Sequence, residues 1–352
     1  MTLTKQIAAR IASDGPIAVA TYMSECLFHP TLGYYSTQEP FGRGGDFVTA
    51  PEMSQMFGEL IGLCLAQAWI DQGHPPRFTL AELGPGRGTL MADVLRATKA
   101  VDGFAQAADI IMIEASDRLT AVQKQTLSDT DARWVEDVDG LPDQPLYAIA
   151  NEFFDALPIR QFLRAGSGWR ERQIGLSDQK LAFGLGPVAP HARLEHRLAD
   201  TKDGDLVEYA PALSQISASL GLKIDTYGGA GIIVDYGDWR STGDTLQAVQ
   251  NHAFSDVLSD AGSADLTAHV DFEAIAQAAP CAHTRLTPQG IFLERLGITQ
   301  RAQLLGKNLT GEALQQHIQA HRRLTHPEEM GTLFKVLGLF PTGKAAPAGL
   351  EI

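Results

Sequence analysis

Apolar positions along the chain fall into two rhythms. Residues 2–13 and 53–71 carry them at helical spacing, with Met56, Leu60, Leu63 and Leu65 among them. From about residue 77, short continuous apolar runs alternate with amphipathic stretches. The runs 77–83, 108–114, 132–136, 145–151 and 229–235 predict strands, and 89–99, 116–128, 209–220 and 268–279 predict helices. Continuous apolar runs suit central parallel strands covered on both faces. Their alternation with helices predicts an open, doubly wound α/β sheet.

Two segments break this alternation, and a third irregular one precedes it. His29 to Pro51 is rich in Gly, Pro and aromatic residues and is not expected to form regular helix. Residues 159–187 alternate in β fashion around two turn-like breaks, Gly166-Ser167-Gly168 and Ser177-Asp178, which predicts an inserted hairpin or a small antiparallel subsheet. Residues 238–266 are polar with little periodicity and predict a long functional loop. The expected organisation is an N-terminal helical cap and active-site cover over 1–76. A core over 77–352 follows, with insertions at about 159–205 and 238–270.

Composition narrows the classes. A chain of 352 residues, 44% hydrophobic and 20% charged, can bury a full core. Its formal charge of −14 disfavours nucleic-acid backbones and suits a cationic partner or substrate. Cys26, Cys64 and Cys281 form neither a disulfide framework nor a Cys-x-x-Cys pair, as in a reducing compartment. The start lacks a signal-peptide pattern and no run of eighteen apolar residues follows. A cytoplasmic protein without stable membrane insertion is expected. His317 and His321 lie four apart on an expected helix, but no compact third ligand accompanies them, so no metal is expected there.

The candidate chemistry starts at Glu82-Leu83-Gly84-Pro85-Gly86-Arg87-Gly88-Thr89-Leu90, directly after the first core strand. Glycines at a strand-to-helix turn allow unusual dihedrals and close ligand approach, usually of a nucleotide-like molecule at the helix N-terminus. The spacing is G-x-G-x-G, whereas dinucleotide folds use G-x-G-x-x-G. That difference points toward S-adenosylmethionine, whose amino-acid tail needs close backbone approach but carries no phosphate. Glu114, ending the second strand, is placed to accept from a ribose diol. After the third strand Asp137 could accept from an adenine amino group with Val138 packing on the ring; Glu136 competes for that role. Glu82 would position the cofactor's ammonium group or the turn itself. The fourth strand ends in Asn151-Glu152-Phe153-Phe154-Asp155, where an acceptor would meet the cofactor.

These motifs resemble the MidA family of class I S-adenosylmethionine-dependent methyltransferases. The resemblance rests on His29-Pro30 with Gly33-Tyr34-Tyr35, Gly45 to Gln55 with Phe57-Gly58-Glu59, Glu82 to Leu90, and Asn151 to Pro158. It continues with Asp235-Tyr236-Gly237, Asp265 to Phe272 and Met330 to Leu337. It implies a seven-stranded methyltransferase sheet whose last two strands are 281–287 and 331–339, the latter antiparallel. It also implies S-adenosyl-L-methionine as cofactor, held by Glu82, Gly84, Gly86, Gly88, Glu114, Asp137, Val138 and Asn151. Mitochondrial members look like protein arginine methyltransferases acting on a complex I core subunit during assembly. This chain lacks a long N-terminal extension and looks like a bacterial member.

Methyl transfer from a sulfonium is an in-line displacement, so alignment dominates catalysis. An arginine acceptor enters charged and needs carboxylates matched to its planar fork. Glu152 is the first choice for that grip and Asp155 the second. Asp46, Thr49, Glu52, Asp235, His269 and Asp271 are candidates for covering the substrate. Two other readings fit the same cofactor residues: a small-molecule or non-arginine protein methyltransferase, and an assembly chaperone that binds cofactor without turnover.

Overall fold

The structure is a computed structural model describing residues 1–38, 49–250 and 252–352. It divides into two compact units, one of Met1–Phe47, Asp155–Leu213 and Arg240–Asp271, the other of Val48–Phe154, Ser214–Trp239 and Phe272–Ile352.

The second unit holds the parallel sheet. Its chain order is helix α1 (Gln55–Asp71), strand β1 (Phe78–Leu83), α2 (Thr89–Thr98), β2 (Ala108–Ile113), α3 (Asp117–Thr126), β3 (Arg133–Val135), β4 (Leu146–Asn151), β5 (Gly229–Asp238) and β6 (Phe334–Phe340). The hydrogen-bonded path runs Ala282–His283, β6, β5, β4, β1, β2, β3. Strands β5, β4, β1, β2 and β3 are mutually parallel, and β6 is antiparallel to β5. Short strands off this path raise the sheet to nine, more than the seven the resemblance implies. The chain starts in the middle at β1, steps outward to β3, then returns to β4 on the other side. That reversal is the topological switch point at which open α/β sheets bind ligands.

Burial explains the continuous apolar runs. Every residue of β1 and β4 is buried, so neither strand needs an outward polar alternation. Helix α1, expected above as part of an N-terminal cap, belongs to this core. Twelve of its seventeen residues are buried, and Ser54 caps its start by accepting from the Met56 N–H at 3.3 Å. Gly58 and Gly62 let α1 lie close against α2: a Cβ on Gly58 would sit 2.7 Å from Asp93 Cβ, and one on Gly62 3.0 Å from Val94 Cα. Glu59 completes this joint. It accepts from Gln55 at 3.1 Å, Arg96 at 3.2 Å and Arg301 at 2.8 and 3.0 Å. Burial works to raise its carboxyl, but the bonds from Arg301 and Arg96 outweigh that and hold it below the ordinary range. Trp69, Phe78, Phe104 and Tyr147 pack as one aromatic cluster beneath.

The first unit contains the insertions. Residues Arg160–Ala165, Gly168–Ser177 and Lys180–Ala189 form antiparallel strands turning at Gly166-Ser167 and Asp178-Gln179. Ile17–Ala18 and Leu206–Tyr209 complete that sheet. Phe162, Trp169, Leu194 and Val207 form its small apolar core. The polar stretch 238–266 is not a plain loop. Gln247–Gln250 pairs with both Ala253–Ser255 and Asp265–Thr267 in a three-stranded antiparallel sheet. Strands this short carry too few residues to show a clear period of two. Likewise, the helix expected over 268–279 spans only Phe272–Ala278, because Val270–Asp271 is extended. Within 29–51, Tyr34–Thr37 and the start of Ala50–Met53 form single helical turns. Among the described residues no helix is long and apolar enough to cross a membrane.

Candidate active site

Parallel register brings the candidate residues to one edge. Leu83 is level with Ile113 on β2 and with Ala150 on β4, and Asn151 is level with Val234 on β5. The residues that follow therefore leave the sheet together. Gly84 N–H donates to Ile113 O at 3.1 Å, Glu114 N–H to Val135 O at 2.9 Å, and Glu152 N–H to Val234 O at 3.0 Å. Three strand ends thus meet through backbone bonds alone.

The turn itself requires glycine. Gly84, Gly86 and Gly88 have φ of 59°, 55° and 82°, the left-handed region that costs an L side chain roughly 1–2 kcal/mol. A Cβ on Gly84 would also meet the Phe153 ring at 2.8 Å. Gly88 caps α2 without a capping side chain, and the Met91 N–H in the first turn of α2 is taken up by Glu82. Glu82, one residue before the strand end, is 3% exposed. Its Oε2 has no hydrogen-bond partner among the described residues. Burial drives its carboxyl well above the ordinary range, the Met91 N–H opposing. A buried carboxylate oxygen without a donor beside a glycine cradle fits a ligand carrying an ammonium group.

Glu114 is built for acceptance. Ser116 N–H donates to its Oε1 at 2.8 Å and Gln123 Nε2 to its Oε2 at 2.9 Å. Burial raises this carboxyl too, against those donors. After β3, Asp137 is exposed and caps the short turn Val138–Gly140, its Oδ1 accepting from the Asp139 and Gly140 N–H groups at 3.0 and 3.2 Å. That cap holds Val138, which is buried. Glu136 is exposed.

At the end of β4, Asn151 Nδ2 donates to Glu152 Oε1 at 3.1 Å, and Ala50 N–H donates to the same oxygen at 3.4 Å. Asn151 Oδ1 is buried with no partner among the described residues. Glu152 has φ of 52°, a left-handed conformation in a residue with a Cβ, and such strain collects at functional sites. The support is Asp235, fully buried, whose Oδ2 accepts from the Phe153 and Phe154 N–H groups at 3.2 and 3.0 Å and whose Oδ1 accepts from Tyr236 N–H at 2.9 Å. This corrects its reading as a substrate cover. A fully buried carboxylate taking three backbone N–H groups holds the Glu152–Phe154 turn.

The other cover candidates divide. Glu52 accepts from Thr89 Oγ1 at 2.5 Å and lies 3.9 Å from Arg87, so it clasps the glycine turn and the start of α2. Thr49 precedes the helical turn Ala50–Met53, its carbonyl accepting from the Glu52 and Met53 N–H groups at 3.0 and 3.2 Å. Asp46 lies outside the described residues. Asp155, the second choice for the grip, and the cover candidates His269 and Asp271 belong to the first unit. There Asp155 is buried, and its carbonyl accepts from Ala268 N–H at 3.0 Å. His269 N–H donates to Thr245 Oγ1 at 2.8 Å. Asp271 accepts from Ser241 N–H at 3.3 Å and lies 3.7 Å from buried Arg197. His317 Nε2 lies 2.9 Å from Ala302 O, and His321 Nε2 3.1 Å from Thr299 Oγ1. Among the described residues no group of three or more His, Cys, Asp or Glu could hold a metal.

Sequence reasoning missed Gln123 and Trp134, which back Glu114. A signal existed. Gln123 falls midway between buried Leu119 and Leu127 at intervals of four, a polar residue on an apolar stripe.

Strand order, glycine turn and terminal carboxylates together define an α/β enzyme built around an adenosyl-type cofactor, and known proteins narrow the class. The chain matches the sequence model of an S-adenosyl-L-methionine-dependent methyltransferase family over residues 60–291. It is 36% identical over 369 residues to protein arginine methyltransferase NDUFAF7, mitochondrial, of Mus musculus, covering 96% of this chain and 84% of that protein. The Drosophila melanogaster homolog is 35% identical over 382 residues, covering 98% and 86%. A solved COG1565 superfamily member from Burkholderia thailandensis, bound to S-adenosyl-homocysteine, superposes with a TM-score of 0.85 at 29% identity, over 99% of this chain and 93% of that one. The chain belongs to the MidA family of S-adenosyl-L-methionine-dependent methyltransferases, and S-adenosyl-L-methionine is its cofactor.

The three amides on Asp235 generate a prediction. Asp235→Ala leaves them without their acceptor and should lower unfolding free energy by about 2–4 kcal/mol in urea titrations. Amide hydrogen exchange should accelerate at Phe153 and Phe154; unchanged protection there would remove Asp235 from this role.

Proposed function

We propose that this methyltransferase modifies arginine on a protein, with a complex I (NADH:quinone oxidoreductase) core subunit as acceptor during assembly. The observation that carries the reading is Glu152, a carboxylate held in strained backbone at the end of β4, level with the glycine turn. The naming of the relatives from Mus musculus and Drosophila melanogaster as protein arginine methyltransferases supports the same acceptor. The formal charge of −14 suits a cationic partner. A cytoplasmic location belongs to this proposal.

Bound S-adenosyl-L-methionine supplies an electrophilic methyl group on sulfonium. Around it, the glycine turn would admit close backbone approach, Glu82 would hold the ammonium group, and Glu114 would accept from the ribose hydroxyls. Asp137 and Val138 serve the adenine, and Asn151 orients Glu152. Glu152 would accept from the planar guanidinium and direct one nitrogen toward the methyl group; as the N–C bond forms the C–S bond would break, S-adenosyl-homocysteine would leave, and the nitrogen's proton would pass by way of the Glu152 carboxylate to solvent.

Mass spectrometry of complex I subunits from cells with and without this chain tests the acceptor. A lost arginine methylation is the expected result, and identical methylation overturns the assignment. Glu152→Ala should bind S-adenosyl-homocysteine within about twofold of wild type, yet lose about 10²-fold or more of its methyl transfer to arginine. Unimpaired transfer would remove Glu152 from the grip.

A pH dependence follows from Glu82. Its raised pKa leaves the free carboxyl protonated above the ordinary carboxylate range. An arriving ammonium group favours the ionised form, so binding releases a proton and strengthens as pH rises. Calorimetric affinity for S-adenosyl-homocysteine should fall as pH drops from about 8 toward about 5, and Glu82→Gln should flatten that slope. An equal slope in both proteins would contradict the role given to Glu82.

A further inference from the structure

Gln123 joins the two halves of the cofactor grip. It is fully buried on α3, and its Nε2 donates to Gly86 O at 2.9 Å and to Glu114 Oε2 at 2.9 Å. Its Oε1 accepts from Trp134 Nε1–H at 2.8 Å. This amide orientation is dictated by its partners. A flipped amide would set its oxygen against a carbonyl and a carboxylate, and its NH₂ against an indole donor. The stem of Gln123 also backs the turn, with Cα and Cγ each 3.7 Å from where a Cβ on Gly88 would stand. With Ser116 N–H on Oε1, Gln123 on Oε2 and the Ala115 N–H as a third donor, the Glu114 carboxylate, which can take about four, keeps acceptor capacity for a ligand.

We infer that Gln123 is the positioning residue of the cofactor site: it locks the glycine turn to the carboxylate that reads the ribose, so both meet the cofactor as one preformed surface. This rests on the assignment of Glu114 to the ribose hydroxyls. Without the Gln123 donor, partly buried Glu114 would lose one of the bonds that oppose the rise of its pKa. It would accept from the diol less well, and the turn would lose its anchor at Gly86. Preorganised groups of this kind act mainly on affinity and far less on a methyl transfer controlled by alignment at sulfur.

The test uses the full chain with S-adenosyl-homocysteine and its 2′-deoxy analogue in titration calorimetry, alongside steady-state kinetics. Gln123→Met keeps the side-chain length and removes the hydrogen bonds. It should weaken S-adenosyl-homocysteine binding about 10-fold or more and raise KM for the methyl donor. kcat at saturating donor should stay within about threefold. The penalty should shrink for the 2′-deoxy analogue, because much of it is exerted through the diol; a merely structural defect would penalise both ligands equally. If Gln123→Met fails to fold, Trp134→Phe keeps an aromatic ring but removes the N–H that orients the amide, and should weaken binding several-fold with a similar ligand dependence. Wild-type affinity in the folded variant, or an equal penalty for both ligands, overturns the proposal. Glu114→Gln separates the two readings. If it leaves affinity for S-adenosyl-homocysteine unchanged, the ribose assignment fails and this proposal with it; if it weakens binding while the Gln123 variant does not, only the role of Gln123 fails.

Discussion

Parallel register is the constraint on which the site depends. Leu83, Ile113 and Ala150 stand at one level because β1, β2 and β4 run in the same direction with the pairing already described. Backbone N–H groups beyond that level still find acceptors on the neighbouring strand, at Gly84, Glu114 and Glu152. The residues that emerge are therefore placed by the sheet and not by flexible loops. Since the period of a strand is two, a slip of one residue in β4 would turn its side chains to the opposite face and remove Glu152 from the edge.

Above this edge the chemistry is a management of buried carboxylates. Glu82, Glu114 and Asp235 lie within a few residues of strand ends, and each is treated differently. Asp235 is given three backbone donors and becomes scaffold. Glu114 takes donors from Ser116, Gln123 and Ala115 but is only partly buried, and stays an acceptor. Glu82 Oε2 is given none among the described residues. Burying a carboxylate is costly in proportion to how little it is hydrogen-bonded. Asp235 therefore stands as structural support, whereas Glu82 is left for the cation proposed above.

Support extends outward into helices. Glu59 binds Arg96 on α2 and Arg301 far along the chain, and Gly58 and Gly62 let α1 and α2 close on each other. The N-terminus of α2, where the glycine turn ends, is thus fixed from behind. Glu52 clasps it from the front through Thr89. A turn that accepts three left-handed residues has little stiffness of its own, and its geometry is borrowed from these neighbours.

Much of this was legible without coordinates. Apolar runs located β1, β2, β4 and β5, because coverage of both faces of a strand leaves a local imprint, complete in β1 and β4 and confined to the second half of β2. Glycine spacing located the turn, since left-handed backbone excludes most other residues, and the position of Glu114 followed from the strand before it. Other features depended on which distant faces meet. Asp235 read as a substrate cover until its burial against Phe153 and Phe154 appeared, some eighty residues away in sequence. The sheet within 238–266 was hidden because its strands are too short for periodicity. By itself, then, the chain's sequence determined the parallel core, the glycine turn and the type of cofactor, all of which rest on local sterics and on hydrophobic period. Only tertiary structure decided which carboxylates are satisfied and which stay open, because that depends on donors such as Gln123 and Trp134 brought in by other elements.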